Sequence, residues 1–344
     1  MRKTVLLASA LCAGVVFAAG AKSSEPFRAG ERITFLGDSI THASKYMWYL
    51  QLWENLRHPG SGVRMMCAGL NGDTAGGALG RLSYDVDPMK PDRVFCLFGM
   101  NDVNRGLYAT KGTDEATAKK RAAALDAYKR NLDTLTDRLS AMKASVVLMT
   151  PSPYNQYQAK PEANLVACND PGLMACAEIV RKTAAAKDTQ LVDLNRSLTD
   201  LFRRQRDFTF CPDRVHPGDE GHLAMAALVL QATDASPFVG ETTVSGDERG
   251  TAFDYAPKAL PFPAMPEYDT LRKLGAQPSM ADFNYEIVRV TGLVPGDTYA
   301  LRFDGREVGS FRGEEFAAGV NVAELDTPNR RLAGTAVAPM RELV

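Results

Sequence analysis

The sequence predicts an α/β protein: a parallel sheet with helices on both faces, followed by a smaller β-rich piece. Three observations carry this. Between residues 33 and about 232, short apolar runs alternate regularly with amphipathic helical stretches, as βαβ units do. Around residues 235–284 that rhythm gives way to a stretch punctuated by Pro237, Pro257, Pro261, Pro263, Pro266 and Pro278. From Tyr285 the pattern turns to strands separated by turn signals. A chain of 344 residues suits one full domain plus a smaller piece. Its 45% apolar and 24% charged content is that of a globular protein. A formal charge of −1 leaves no electrostatic footprint for nucleic acid or an anionic membrane.

The first stretch reads as separate from the fold. Arg2 and Lys3 precede an apolar run from Val5 to Ala18, and Ala19-Gly20-Ala21 supplies small residues for cleavage. This is the pattern of a secretory signal peptide over residues 1–21. Cys12 follows Leu11, so the small residue of a lipoprotein cleavage site is missing. The expectation is an exported protein, secreted or periplasmic.

Strands are predicted at Ile33–Leu36, Val63–Cys67, Val94–Phe98, Ser145–Met149 and Gln190–Asp193. Helices are predicted near 44–57, 74–86, 114–142, 171–187, 195–205 and 219–232. Lys119, Lys120, Arg121, Lys129 and Arg130 on the third of these fit a solvated face. Asp170-Pro171 is read as opening the fourth, with Pro at the first helical position. The loop from Pro151 to Asp170, which includes Pro153 and Pro161, is long enough to be functional. Tyr154 and Tyr157 are candidates for a substrate wall there, with loop packing as the alternative. The 235–284 stretch reads as an extended connector over the first domain. Beyond it come strands at Tyr285–Thr291, Tyr299–Phe303 and Arg306–Phe311. Asp304-Gly305 is a hairpin cue between the last two. Of six cysteines, Cys12 leaves with the signal, and no pair has Cys-x-x-Cys spacing. Cys67 and Cys96 read as small core residues, Cys168 and Cys176 are a candidate bridge, and the odd count of five, with Cys211, leaves at least one free thiol unless chains pair.

Four segments at strand ends carry chemistry, and that end of a parallel sheet is where ligands bind. Gly37-Asp38-Ser39-Ile40 follows the first strand. Ser39 is either a nucleophile or a helix cap. Asn71-Gly72-Asp73-Thr74 follows the second, where Gly72 permits close backbone approach. Gly99-Met100-Asn101-Asp102 follows the third and offers the Asn101 amide as a donor. Asp213-Arg214-Val215-His216-Pro217 precedes the last helix of the domain. There Asp213 can hold one imidazole nitrogen of His216 and leave the other as a general base. Of the remaining histidines, His42, His58 and His222 read as structural. Ser39, His216 and Asp213 make an acyl-transfer set, with N–H groups of Ser39 and Gly72 and the Asn101 side chain as oxyanion donors.

In this order, the four segments resemble the blocks of the SGNH hydrolases, also called GDSL-type esterases. The resemblance covers roughly residues 30–235. The first block here has Ile40 where the name of the family has Leu. What it implies is a three-layer α/β/α, flavodoxin-like fold, no cofactor and no metal, and hydrolysis of esters or thioesters. Ser39, Gly72 and Asn101 would take the nucleophile and oxyanion roles, and Asp213 and His216 would complete the set. The expected division is a signal peptide over 1–21, an esterase domain over 22–240, and a connector with a small β-rich segment over 241–344. Within it the segment around Tyr285–Thr327, with Asn321-Val322-Ala323 and Thr327-Pro328, resembles a C-terminal extension on some secreted bacterial members. Family analogy and export favour acetyl esters on a carbohydrate polymer as substrate. The alternatives are a lipase or thioesterase of the same family, a metal-dependent phosphoesterase using Asp38, Asn101, Asp213 and His216, and a non-catalytic glycan-binding protein. The expected partners are small-molecule or polysaccharide esters, with neither nucleic acid nor a membrane.

Overall fold

A computed structural model describes residues 3–9, 26–160 and 162–341, the first segment by its backbone alone. Cys12, the cleavage site at residues 19–21 and Pro161 lie outside the described residues. After β1 (Lys3–Ser9), the strands β2 (Arg32–Gly37), β3 (Arg64–Gly69), β4 (Arg93–Leu97), β5 (Ser145–Met149) and β6 (Gln190–Val192) build the central sheet. Their order is β3-β2-β4-β5-β6, every neighbouring pair parallel. This is the flavodoxin-like order. Ile33, Thr34, Phe35 and Leu36 are all fully buried, because β2 is central and covered on both faces. Phe35 stacks on Phe95 of β4 with ring centroids 4.8 Å apart.

The strand order also decides where the helices go. The connection from β2 to β3 runs one way along the sheet, and those from β3 to β6 run the other. Right-handed crossovers therefore put their helices on opposite faces. The short α1 (Ser39–His42) and α2 (Lys45–Arg57) follow β2, and α2 packs on α7 (Asp219–Ala232). On the other face α3 (Ala75–Asp85), α4 (Glu115–Ala141) and α5 (Met174–Ala186) pack in series, while α6 (Leu194–Arg204) follows β6. In α4 the buried residues Tyr128, Leu132, Leu135 and Leu139 form one stripe at helical spacing. The charged residues lie outside it, as in the ion pairs Lys119–Glu115 and Lys129–Asp133.

Three local expectations are corrected. Pro171 does not open α5: Asp170 is non-helical, Gln156 Oε1 accepts from the N–H groups of both Asn169 and Asp170, and α5 begins at Met174. Cys168 and Cys176 are buried free thiols, as are Cys96 and Cys211, and Cys67 is free. Burial pushes the Cys96 and Cys168 thiols up to about 12. The 235–284 stretch is also richer than a connector. It holds β7 (Phe238–Ser245), β8 (Gly250–Tyr255) and α8 (Pro266–Lys273), the last with Pro266 in its first turn. Phe262, Met265, Tyr268, Leu271 and Phe283 pack into the main core, so this segment does lie over the first domain.

The C-terminal strands are β9 (Tyr285–Thr291), β10 (Thr298–Phe303), β11 (Arg306–Arg312) and β12 (Val320–Asn321). They enter two sheets, β12-β9-β7 and β11-β10-β1-β8. Both sheets contribute to a second, smaller core that includes Tyr255, Val288, Tyr299, Leu301 and Phe316. Asp304 and Gly305 have φ of 50° and 82°, the positive pair that a two-residue hairpin needs. The backbone of Lys3–Ser9 runs parallel to both β8 and β10 between them. Part of the run that reads as a leader thus has a strand's place here. The joint to the first domain is held by Arg57 of α2, whose guanidinium donates to the carbonyls of Ser236, Phe238 and Phe283. Burial lowers its pKa to about 10.

Candidate active site

The site starts from the end of β2. A Cβ on Gly37 would lie 2.2 Å from Thr41 Oγ1 and 2.8 Å from the Leu97 carbonyl, so only glycine lets α1 begin this close to the sheet. Asp38, not Ser39, caps α1: its Oδ1 accepts from Ile40 N at 2.9 Å. Ser39 is then the first helical residue, with an N–H that the helix itself cannot use. Its hydroxyl is left for another partner. That partner is His216, whose Nε2 lies 2.8 Å from Ser39 Oγ. On the other side of the ring, Nδ1 lies 2.6 Å from Asp213 Oδ2. The three side chains form one continuous relay across 177 residues of sequence.

The turn holding Asp213 and His216 is tied from within and from behind. Asp213 Oδ1 accepts from Val215 N at 2.9 Å and from His216 N at 2.7 Å, fixing the carboxylate beneath the ring. Behind them Arg214 is 3% exposed with φ +69°, a backbone region that costs a non-glycine residue about 1–2 kcal/mol. Its guanidinium donates to the carbonyls of Asn155, Gln158, Lys160 and Glu162, while its own carbonyl accepts from Asn155 N at 2.7 Å. The long loop after β5 is thereby fastened to the turn. Tyr154 in that loop is buried, and its hydroxyl accepts from Leu165 N. Tyr157 lies under the Arg203 guanidinium, 5.0 Å from the ring centroid. Both tyrosines pack the loop.

The remaining segments meet beside Ser39 because β3 and β4 flank β2. Leu70–Asp73 is a tight turn closed by Asp73 N donating to the Leu70 carbonyl, with Gly72 at φ +75° in the position that requires glycine in a type II turn. The closing bond does not involve the Gly72 N–H. Asn101 Nδ2 donates to the Asp73 carbonyl at 2.8 Å, and Asp102 accepts from Ala75 N and Gly99 N. Arg81 of α3 pairs with Asp73 at 2.7 Å and donates to the carbonyls of Ala68 and Gly37. The loops after β2, β3 and β4 thus form one cross-linked rim. Ser39 and Asn101 flank the β2/β4 crevice, where the connections reverse direction. Sequence reasoning assigned no role to Arg81, Asp102 or Arg214. The last two lie inside the segments that carry the chemistry, but Arg214 bonds carbonyls of the loop after β5 and Asp102 bonds the N–H groups of Ala75 and Gly99, backbone partners that residue type does not display.

Electrostatics separates the carboxylates. Burial disfavours the charged form of Asp213, but hydrogen bonds from His216 and Val215 outweigh it and hold its pKa below the ordinary value. Asp38 is different: burial pushes it up to about 7, against the pull of the Ile40 N–H. Burial likewise raises Asp102 to about 6. His222, buried and stacked on Tyr46, is lowered by burial to about 3 and stays neutral. Asp38 uses its carboxylate as a cap and Asn101 bonds Asp73 and Arg105, so neither is poised as a metal ligand. Among the described residues no three His, Cys, Asp or Glu side chains converge on a metal-sized site.

Residues 35–224 match the model of the GDSL-like lipase/acylhydrolase family. The chain is 24% identical over 217 residues to an acetylxylan esterase of Geobacillus stearothermophilus, covering 59% of this chain and 93% of the relative. The crystal structure of a catalytic mutant of an acetylxylan esterase from the same organism, 23% identical, superposes with a TM-score of 0.51 over 61% of this chain and 97% of the other. The fold of a gut microbial diltiazem-metabolizing enzyme is similar over more of the molecule. It has 24% identity and a TM-score of 0.75 over 92% of this chain and 78% of that one.

The raised Asp38 pKa has a consequence for stability. The folded state holds this proton up to about pH 7, whereas an unfolded aspartate releases it near 3.9, so ionisation costs stability as pH rises through that window. Asp38→Asn keeps an oxygen acceptor for Ile40 N and removes the charge. Its melting temperature is expected to exceed that of the parent at about pH 8, with the gap closing towards about pH 4. Thermal melts at the two pH values check this, and an equal gap at both would contradict it.

Proposed function

Because the chain belongs to the GDSL-like lipase/acylhydrolase family and is a hydrolase of ester bonds, we propose that Ser39, His216 and Asp213 carry out that hydrolysis through an acyl-enzyme. The observation that carries the reading is the relay of 2.8 Å and 2.6 Å contacts from Ser39 through His216 to Asp213. Ser39 Oγ attacks the ester carbonyl while His216 Nε2 takes its proton. Asp213 fixes the ring with Nδ1–H towards the carboxylate and stabilises the imidazolium that forms. The oxyanion is met by the N–H groups of Ser39 and Gly72 and by the Asn101 amide. His216 returns the proton to the departing alcohol. Water then repeats the sequence on the acyl-serine and releases the acid.

The proposed substrate is a short acyl ester, acetyl above all, on a carbohydrate. The similarity to an acetylxylan esterase supports this. Among the described residues no helix is long and apolar enough to cross a membrane, and the near-neutral charge favours no polyanion. Export is proposed from Arg2, Lys3 and the apolar run behind them. An exported chain cut near residue 21 would leave β8 and β10 without Lys3–Ser9 between them.

Ser39→Ala is expected to lose p-nitrophenyl acetate hydrolysis and fluorophosphonate labelling together, with its melting temperature close to that of the parent. Across acetate, butyrate and octanoate esters, kcat/KM should fall with chain length, and acetylated xylo-oligosaccharides should release acetate. A preference for octanoate would overturn the acetyl assignment, and labelling that survives Ser39→Ala would overturn the nucleophile. N-terminal sequencing of protein recovered from outside the cytoplasm should start near Lys22. A cytoplasmic protein starting at Met1 would contradict export.

A further inference from the structure

The Asn101 amide is held from both ends. Its Nδ2 donates to the Asp73 carbonyl at 2.8 Å, and its Oδ1 accepts from Arg105 Nη1 at 2.9 Å. The same guanidinium nitrogen donates to the Met100 carbonyl at 3.0 Å, which anchors it over the turn after β4. A side-chain amide has nearly the same shape when rotated half a turn, so packing alone cannot tell its oxygen from its nitrogen. Here the partners can. Rotation would set Oδ1 against a carbonyl oxygen and Nδ2 against a guanidinium, replacing two hydrogen bonds by two clashes of like polarity. Of the two Nδ2 hydrogens, the Asp73 carbonyl takes one and the other is left for a ligand.

The second feature is charge. The guanidinium of Arg105 is half-buried, its hydrogen bonds go to neutral oxygens, and among the described residues it forms no ion pair. Its field reaches the floor of the site, where it helps hold the Asp38 pKa down against burial. A cation bonded to Oδ1 draws electrons through the amide and makes the Nδ2–H a stronger donor. That gain matters most when the carbonyl oxygen of the substrate becomes an anion, because it then enlarges transition-state binding beyond ground-state binding.

We propose that Arg105 is a positioning residue for ester hydrolysis: it locks the Asn101 amide with an N–H towards the oxyanion and polarises that donor. The inference rests on the reading of Asn101 as an oxyanion donor. It assigns Arg105 no contact with the substrate, and all of its effect passes through Asn101.

A double-mutant cycle on the full chain tests both layers, with p-nitrophenyl acetate as substrate and melting temperature as the check on folding. Arg105→Gln is expected to lower kcat about tenfold to a hundredfold with KM nearly unchanged, less than the roughly hundred- to thousandfold loss on deleting an oxyanion donor outright. Affinity for phenylboronic acid, which forms a tetrahedral anionic adduct on a serine hydroxyl, should fall in parallel. Arg105→Lys, which keeps a cationic donor, should recover part of the loss, and it also serves as the probe if the glutamine variant melts early. In an Asn101→Ala background, Arg105→Gln should add almost nothing. Fully additive losses, or a loss confined to KM, would overturn the proposal. If Asn101→Ala slows the enzyme while Arg105→Gln does not, the Arg105 inference alone fails. If Asn101→Ala leaves the rate intact, the reading of the oxyanion site fails with it.

Discussion

The site depends on a buried cation. Arg214 sits between Asp213 and His216 in sequence, with its guanidinium among four backbone carbonyls of the loop after β5. Two of those carbonyls, of Asn155 and Gln158, belong to buried residues and would otherwise be acceptors lacking donors, each costing about 1–3 kcal/mol. The arginine would otherwise be a buried charge. Each resolves the problem of the other, so the loop and the turn are stable only together. With Arg214 anchored inwards, the residues on either side of it face outwards, and His216 arrives 2.8 Å from Ser39. The left-handed backbone at Arg214 is the strain that this arrangement sustains.

The other half of the site is rigid for a different reason. Ser39, Gly72 and Asn101 follow three adjacent parallel strands, so the sheet brings their loops together before any side chain acts. Arg81, Asp102 and Asn101 then bond those loops to one another through backbone groups. Oxyanion donors must be in place before charge develops, because moving them at that moment would cost what they are meant to supply. A rim cross-linked through backbone atoms meets that requirement better than flexible side chains on separate loops.

Much of this was legible in the sequence. Ser145–Met149 and Tyr285–Thr291 lie where the apolar and β-branched runs put them, and the stripe of α4 follows its periodicity. Ser39, Gly72, Asn101, Asp213 and His216 were marked by residue type at strand ends, and the structure brings Ser39, His216 and Asp213 into contact. The failures share a cause. Pro171 looked like a helix opener because proline suits that position, but Gln156, from the preceding loop, accepts from the N–H groups just ahead of it. Tyr154 and Tyr157 fit a binding wall or loop packing equally well by residue type, and contacts decide for packing: Tyr154 is buried with its hydroxyl on Leu165 N, and Tyr157 lies half-buried under Arg203. Arg214 and Arg105 bond to carbonyl and amide oxygens, which leave no pattern in sequence. Local periodicity shows in a chain read in order, whereas the hydrogen-bond partner of one particular side chain does not.

Hydrolysis through an acyl-enzyme requires that Ser39 become acylated during turnover. The most direct measurement is acid quenching of the enzyme within the first turnover of p-nitrophenyl acetate, followed by mass spectrometry of its peptides. The added mass of one acetyl group is expected on the peptide containing Ser39, accumulating in His216→Ala far more slowly than in the parent. Turnover with no acetyl on that peptide, or with the acetyl on another residue, would contradict it.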